Sequence, residues 1–296
     1  MNCNLLVLGA SGDRHFTGVP LLKSHVTVIA LDGRSAHLEE KSADNYVPIS
    51  AFLAKESKST VFTERKFTDC SSVLAPNKEL VELFGLQEHY TVVSEMRVAA
   101  LGPADFAAVL RGKQLNINAI KSDLEGLDLI FCGELLRSFP SVDVVQLELR
   151  ANPFYQAEPS LGDALMAMKH QGFTAISIKS EHWKSPSLSK ISKQGGLVAH
   201  SDVVFLREEI FKNSKTYPPL RLRNAVLSLL FLRQYVSAEI LLNQNKQKFE
   251  RNLYRRILIS LLLVRVYNVF LTILHPLRLL KRFIRPSKYM RHVLKG

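Results

Sequence analysis

The feature that most constrains the fold is the apolar run over residues 4–8, which ends on Gly9-Ala-Ser-Gly12-Asp13. A strand buried on both faces reads as a near-continuous apolar run, and such a strand meeting a glycine turn and then a helix opens many α/β domains. Residues 25–31 repeat the pattern and end at Asp32-Gly-Arg34. Further strands are expected over 59–63, 89–93, 96–101, 117–121, 142–149, 173–178 and 203–206. Helices are expected over 77–84, with Asn77 as N-cap, and over 105–110, 127–136 and 161–170. Strands alternating with helices predict an α/β fold, a doubly wound and mostly parallel sheet covered on both faces. Residues 185–196 read as a polar surface loop.

The chain has 296 residues, 47% of them hydrophobic and 22% charged, a balance that excludes a mainly disordered protein. Cys3, Cys70 and Cys132 lack both the number for a disulfide framework and the CxxC spacing of a zinc site. The nine histidines form no HExxH or similar ligand pair, so no metal site is expected from them. Residues from Met1 enter a strand pattern with no basic n-region or apolar h-region. The expectation is therefore a cytoplasmic, reducing compartment with free thiols.

Charge divides the sequence. Residues 216–296 hold 16 Lys and Arg against Glu239 and Glu250, a net +14, whereas residues 1–215 hold 23 basic against 25 acidic residues. A nucleic-acid-binding surface would spread the excess over the domain, so nucleic acid is not an expected partner. The expected organisation is a domain over 1–215 and a basic, amphipathic helical extension over 216–296.

Two places carry candidate chemistry. Backbone N–H groups of the Gly9–Gly12 turn can approach an anionic or polar ligand, and Asp32, 23 residues after Gly9, can accept hydrogen bonds from ribose hydroxyls. Nicotinamide nucleotides and S-adenosylmethionine suit this equally. The oxidoreductase reading loses its chemistry, because His15 stands where a third glycine belongs and no tyrosine has a lysine four residues on. The second place is Lys121-Ser-Asp-Leu-Glu125, where Lys121, Asp123 and Glu125 alternate at the end of a buried strand.

Ile120-Lys-Ser-Asp-Leu-Glu-Gly-Leu-Asp128 resembles the KxDxEGxE signature of the FkbM-type S-adenosylmethionine-dependent methyltransferases. Leu6-Val-Leu-Gly-Ala-Ser-Gly12 sits where that family has DVGANxG, and Val28–Asp32 at the acidic end of its second strand. Cys70-Ser-Ser-Val-Leu-Ala-Pro-Asn77, Val145-Gln-Leu-Glu148 and Leu161–Phe173 follow in the family's order, so the resemblance spans about residues 1–210. It implies a class I methyltransferase-like Rossmann fold with a C-terminal helical extension. It implies S-adenosyl-L-methionine as cofactor, with Gly9, Ala10, Ser11 and Gly12 at its methionine end, Asp32 on the ribose and Ser50 and Ala51 by the adenine. It implies methylation of a hydroxyl on a sugar, glycolipid or polysaccharide precursor, with Asp123 or Glu125 taking the proton, Lys121 balancing charge and Glu148 lining the pocket. A divalent cation between the two carboxylates is the weaker reading, because no third ligand is evident. Val7 replaces the acid of the family's first motif and Ser11 its asparagine. The alternative is thus a methyltransferase-fold protein, catalytically weakened, that serves as a membrane- or partner-binding module.

In the extension, helices are expected over 221–242 and 246–275, separated by Asn243-Gln-Asn245. The 18-residue apolar run 257–274 contains Arg265 and Asn268, which would be costly inside a bilayer. Basic helices with large apolar faces suit the surface of an anionic membrane, the inner face for a cytoplasmic protein; a partner or a second copy of the chain is the competing expectation.

Overall fold

The computed structural model describes residues 2–9, 20–34, 45–183, 197–213 and 216–284. It divides into two compact units, Met1–Phe249 and Glu250–Gly296. Ten strands belong to the first: β1 (Cys3–Leu8), β2 (Val26–Asp32), β3 (Tyr46–Ser50), β4 (Phe52–Leu53), β5 (Lys58–Arg65), β6 (Val92–Leu101), β7 (Ala119–Ser122), β8 (Val144–Leu149), β9 (Phe173–Trp183) and β10 (Leu197–Arg207). Its helices are α1 (Lys78–Leu83), α2 (Pro103–Gly112), α3 (Asp128–Ser138), α4 (Leu161–His170), α5 (Glu208–Lys212), α6 (Pro219–Phe231) and α7 (Tyr235–Gln244).

Seven strands form one sheet in the order β3-β2-β1-β7-β8-β10-β9. β3 through β8 in that order pair in parallel, and β10 runs antiparallel to both β8 and β9. The strand order reverses between β1 and β7, which opens a crevice at their carboxyl ends. This is the doubly wound, mostly parallel arrangement expected from the sequence. Leu6 and Leu8 of β1 and Ile120 of β7 join Phe106 of α2, Phe131 and Leu135 of α3 and Met168 of α4 in one buried core. On the other face α6 packs against β1 and β8. There the Cys3 thiol lies 3.3 Å from the Ser228 hydroxyl.

The first unit therefore runs to Phe249, past the boundary expected at 215, because α6 covers a sheet face that would otherwise be open. Asp143, just before β8, fixes this junction: its buried carboxylate accepts hydrogen bonds from Tyr217 Oη at 2.6 Å and from Arg207 Nε and Arg221 Nε at 3.1 Å. The helix expected over 221–242 is two helices, broken at Leu232–Gln234, where Arg233 takes a φ of 61°. Of the strands expected at 89–93 and 96–101, only 92–93 and 96–101 are strand, joined in the single strand β6, and a second, three-stranded sheet, β4-β6-β5, was not anticipated. Asn77 caps α1 as expected, accepting from the Leu80 N–H. The 185–196 loop lies outside the described residues.

The second unit holds one described helix, α8 (Arg251–Ile284). The break before it falls near the expected 243–245 segment. No helix among the described residues is both long and apolar enough to cross a membrane.

Candidate functional site

A cavity of about 810 Å³ opens at the carboxyl ends of the parallel strands. Gly9 follows β1, Asp32 ends β2, Asp123 and Glu125 follow β7, and Glu148 and Arg150 lie at the end of β8; all line it. Loop residues 67–73, together with Phe52, Phe62 and Tyr90, supply the opposing wall. The parallel sheet thus brings Gly9 and Asp123–Glu125 to one place. The Gly9 N–H donates to Leu31 O at 3.1 Å, and the Asp123 N–H donates to Leu8 O at 3.1 Å. Gly9 has a φ of +74°, and a Cβ there would overlap the Asp123 carbonyl oxygen. Glycine is required by both conformation and space.

The turn after β7 is built by its own residues. The buried Asp128 carboxylate accepts from Ser122 Oγ at 2.6 Å and from the Leu124 N–H at 3.0 Å. Burial raises Asp128 to about 6, against those two hydrogen bonds. Glu125 and Gly126 both take positive φ, 50° and 99°, and the Ser72 hydroxyl donates to the Glu125 carbonyl at 3.1 Å. The alternation expected through Glu125 therefore stops at the strand end. The turn nonetheless returns the Glu125 carboxylate to Asp123 and Glu148: ligand oxygens of the three lie within 4.8 Å of one another.

Arg150 organises this cluster. Its guanidinium donates to Glu125, to Glu148 at 3.2 Å and to Glu158 at 3.0 Å, and lies 5.3 Å from the centre of the Tyr155 ring. The Tyr155 hydroxyl donates to Cys70 O at 2.9 Å and lies 3.3 Å from a Glu125 carboxyl oxygen. The segment carrying Tyr155 is tied down by Asn77 N–H to Phe154 O and Gln156 N–H to Ala75 O. His200 of β10 places Nδ1 3.6 Å from Glu148. Arg150, Tyr155, Glu158 and His200 are site residues that sequence reasoning missed; the spacing of Glu148 and Arg150 on one strand face was the available signal.

One guanidinium cannot balance four neighbouring carboxylates. Burial pushes Glu125 up to about 8, against Arg150, with Asp123 and Asp128 adding to the rise. Burial also raises Asp123, opposed by Lys121, Arg150 and His200. Glu148 rises for the same reason, reinforced by Asp123 and Glu125. His200 is lowered, by burial and then by Arg150. Such a cluster can exchange protons near neutrality. Its carboxylate oxygens are also of the donor type that a hard divalent cation takes, and Glu148, expected only to line the pocket, supplies the third.

Asp32 is buried, and its carboxylate accepts from the Arg34 N–H at 2.7 Å. Neighbouring Gly33 lies under Phe52, whose ring a Cβ would press into. Ser50 pairs with Asp32 across the strands but is exposed and outside the cavity lining, which Ala51 joins instead. Lys121 is buried in the sheet opposite Val7 and Gln146 and is not in the lining either. Ala10, Ser11 and Gly12 lie outside the described residues. The three cysteines are buried and free.

No family model matches the chain, and no curated protein matches it. Solved structures do. A TehB-like SAM-dependent methyltransferase of Corynebacterium glutamicum is 12% identical, with 70% of this chain and 80% of that one covered at a TM-score of 0.32. Magnesium protoporphyrin IX methyltransferase of Synechocystis, with bound SAM, is 11% identical, with 70% of each chain covered at 0.31. An uncharacterized protein of Listeria monocytogenes is 13% identical, with 88% of this chain and 91% of that one covered at 0.29. At these scores the fold rests on the strand order and register, and the chemistry on the cavity.

Proposed function

We propose that the protein is an S-adenosylmethionine-dependent O-methyltransferase whose acceptor is a neutral, hydroxyl-bearing molecule such as a sugar. The observation that carries this is the convergence of Gly9, Asp32 and the Asp123–Glu125–Glu148 cluster on one cavity at the strand-order switch. The cavity is within the size range of small-molecule sites. The residues present fit the cofactor: Asp32 can accept from ribose hydroxyls, and Gly9 lines the cavity at the end of β1. When bound, the cofactor supplies an electrophilic methyl group on a sulfonium.

The chain's own work is to position the acceptor and remove its proton. Arg150 bonds to Glu125 and Glu148, which leaves Asp123, against the Gly9 turn, as the base for the hydroxyl proton. Its raised pKa strengthens it as a base relative to an ordinary aspartate. Glu125, raised to about 8, carries a proton at neutral pH and can donate a hydrogen bond to an acceptor oxygen. Among the described residues, and leaving aside the protonated Glu125, the lining holds Asp32, Asp69, Asp123, Glu148 and Glu181 against Arg34 and Arg150. That field favours a sulfonium and opposes phosphate- or carboxylate-bearing acceptors. Phe52, Phe62, Phe67 and Tyr90 supply apolar walls.

Calorimetric titration of the intact protein with S-adenosylmethionine tests the reading. Binding is expected in the micromolar range, weakened about tenfold or more by Asp32→Ala through loss of charge-assisted hydrogen bonds. Absence of binding to the folded wild type would sink it.

A further inference from the structure

We propose that α8 seats the protein on an anionic lipid surface through an apolar stripe, independently of the methyl-transfer reading. Leu258, Ile259, Leu262, Leu263 and Val266 are each between 37% and 59% exposed. At about 100° per residue these five fall within an arc of about 140° on the helix, one continuous face. Tyr267, also exposed, stands at the edge of that face. Arg255 precedes the stripe, and the exposed Arg256 and Arg265 flank it on opposite edges. Apolar side chains framed by arginines, with a tyrosine at the margin, match the layering of a membrane interface: acyl-chain boundary, headgroup phosphates and the zone between.

Charge selects lipid over the competing occupants. Residues 250–296 carry 11 Lys and Arg against Glu250 alone, a net +10. Two such units would repel one another in a dimer, whereas an anionic leaflet attracts every one of these charges. The described helices contain no membrane span, so the stripe lies along the surface rather than across it. A protein held in this way would meet acceptors carried on lipid.

Flotation of the full chain tests this with two kinds of vesicle, phosphatidylcholine alone and phosphatidylcholine containing phosphatidylglycerol. The expected result is flotation with the anionic vesicles, reduced several-fold when NaCl is raised from about 0.1 to about 0.5 M. Leu262→Asp is expected to cut the bound fraction about tenfold by placing a charge at the centre of the stripe. Leu262→Ser serves where the aspartate variant melts below the wild type. Failure of the wild type to float with anionic vesicles would overturn the proposal, as would equal flotation of a folded stripe variant. A concentration-dependent dimer that the same variant abolishes, without vesicle binding, would assign the stripe to a second copy and overturn it equally.

Discussion

Replacing Arg150 with methionine tests the charge balance of the site directly. The substitution keeps an unbranched apolar stem and removes the guanidinium that reaches Glu125, Glu148 and Glu158. The Arg150 side chain is only 7% exposed, so water cannot replace it as a partner. The Coulomb energy lost per contact is about 4 kcal/mol at the effective dielectric of such sites. Proton uptake caps the real cost: a cluster that loses one positive charge regains its balance by binding one proton. At about pH 7.5, neutralising a carboxyl of ordinary pKa costs about 4 kcal/mol, and at about pH 5 it costs about 1 kcal/mol. The variant is therefore destabilised by about 3–4 kcal/mol at about pH 7.5, within the range for broken buried pairs. For a chain of this size that lowers Tm by about 6–16 °C, against about 2–4 °C at about pH 5. Thermal melts of both proteins followed by circular dichroism at the two pH values read this. An equal drop at both would refute the electrostatic argument and leave Arg150 as packing against Tyr155.

Gly9→Ala is expected to cost about 2–4 kcal/mol in a urea midpoint experiment, because it combines positive φ with overlap on the Asp123 carbonyl. Gly85→Ala, at a φ of +66° but with nothing within 4 Å of a Cβ, is the control, expected to lose about 1–2 kcal/mol. Glu125→Gln addresses pH. The folded-state pKa of Glu125 is raised from 4.5 to about 8, so the stability it contributes is complete below about pH 4.5 and is lost as pH rises toward 8. The variant should flatten the fall of Tm over that window; an unchanged profile would place the titration elsewhere.

Four strands of the parallel half were legible because they are buried on both faces, whereas β3, half exposed, was not expected. β1, β2, β7 and β8 read as apolar runs, and their parallel pairing followed from alternation with helices. Where burial is one-sided the signal weakened. β6 exposes Val92, Val93 and Met96 while burying Val98 and Ala100, so its continuity and its sheet were missed. The C-terminal helices misled for a different reason. Charge counts placed the boundary at 215, yet Leu222, Leu229 and Leu230 of α6 are fully buried, and the arginines of that helix sit on its margins. Asp143, an unremarkable acid in the sequence, is what ties Arg207, Tyr217 and Arg221 together across that supposed boundary.

The site divides along the same line. Gly9, Asp32, Asp123 and Glu148 could be read from sequence because each sits at a strand end, where the crevice of an open sheet must be. Lys121 belongs to the same motif but is buried one residue short of the strand end and does not line the cavity, although its charge acts on Asp123. The partners of Arg150 depend on backbone that no periodicity describes: the positive φ at Glu125 and Gly126, the Asp128 brace, and the crossing of segments 75–77 and 154–156. A strand end fixes where a functional side chain begins, but the turn beyond it decides which charges meet. That is why Asp123, Glu125 and Glu148 could be named from sequence without their shared partner, whereas the folded chain gathers the three beside one buried arginine, with burial raising the pKa of each.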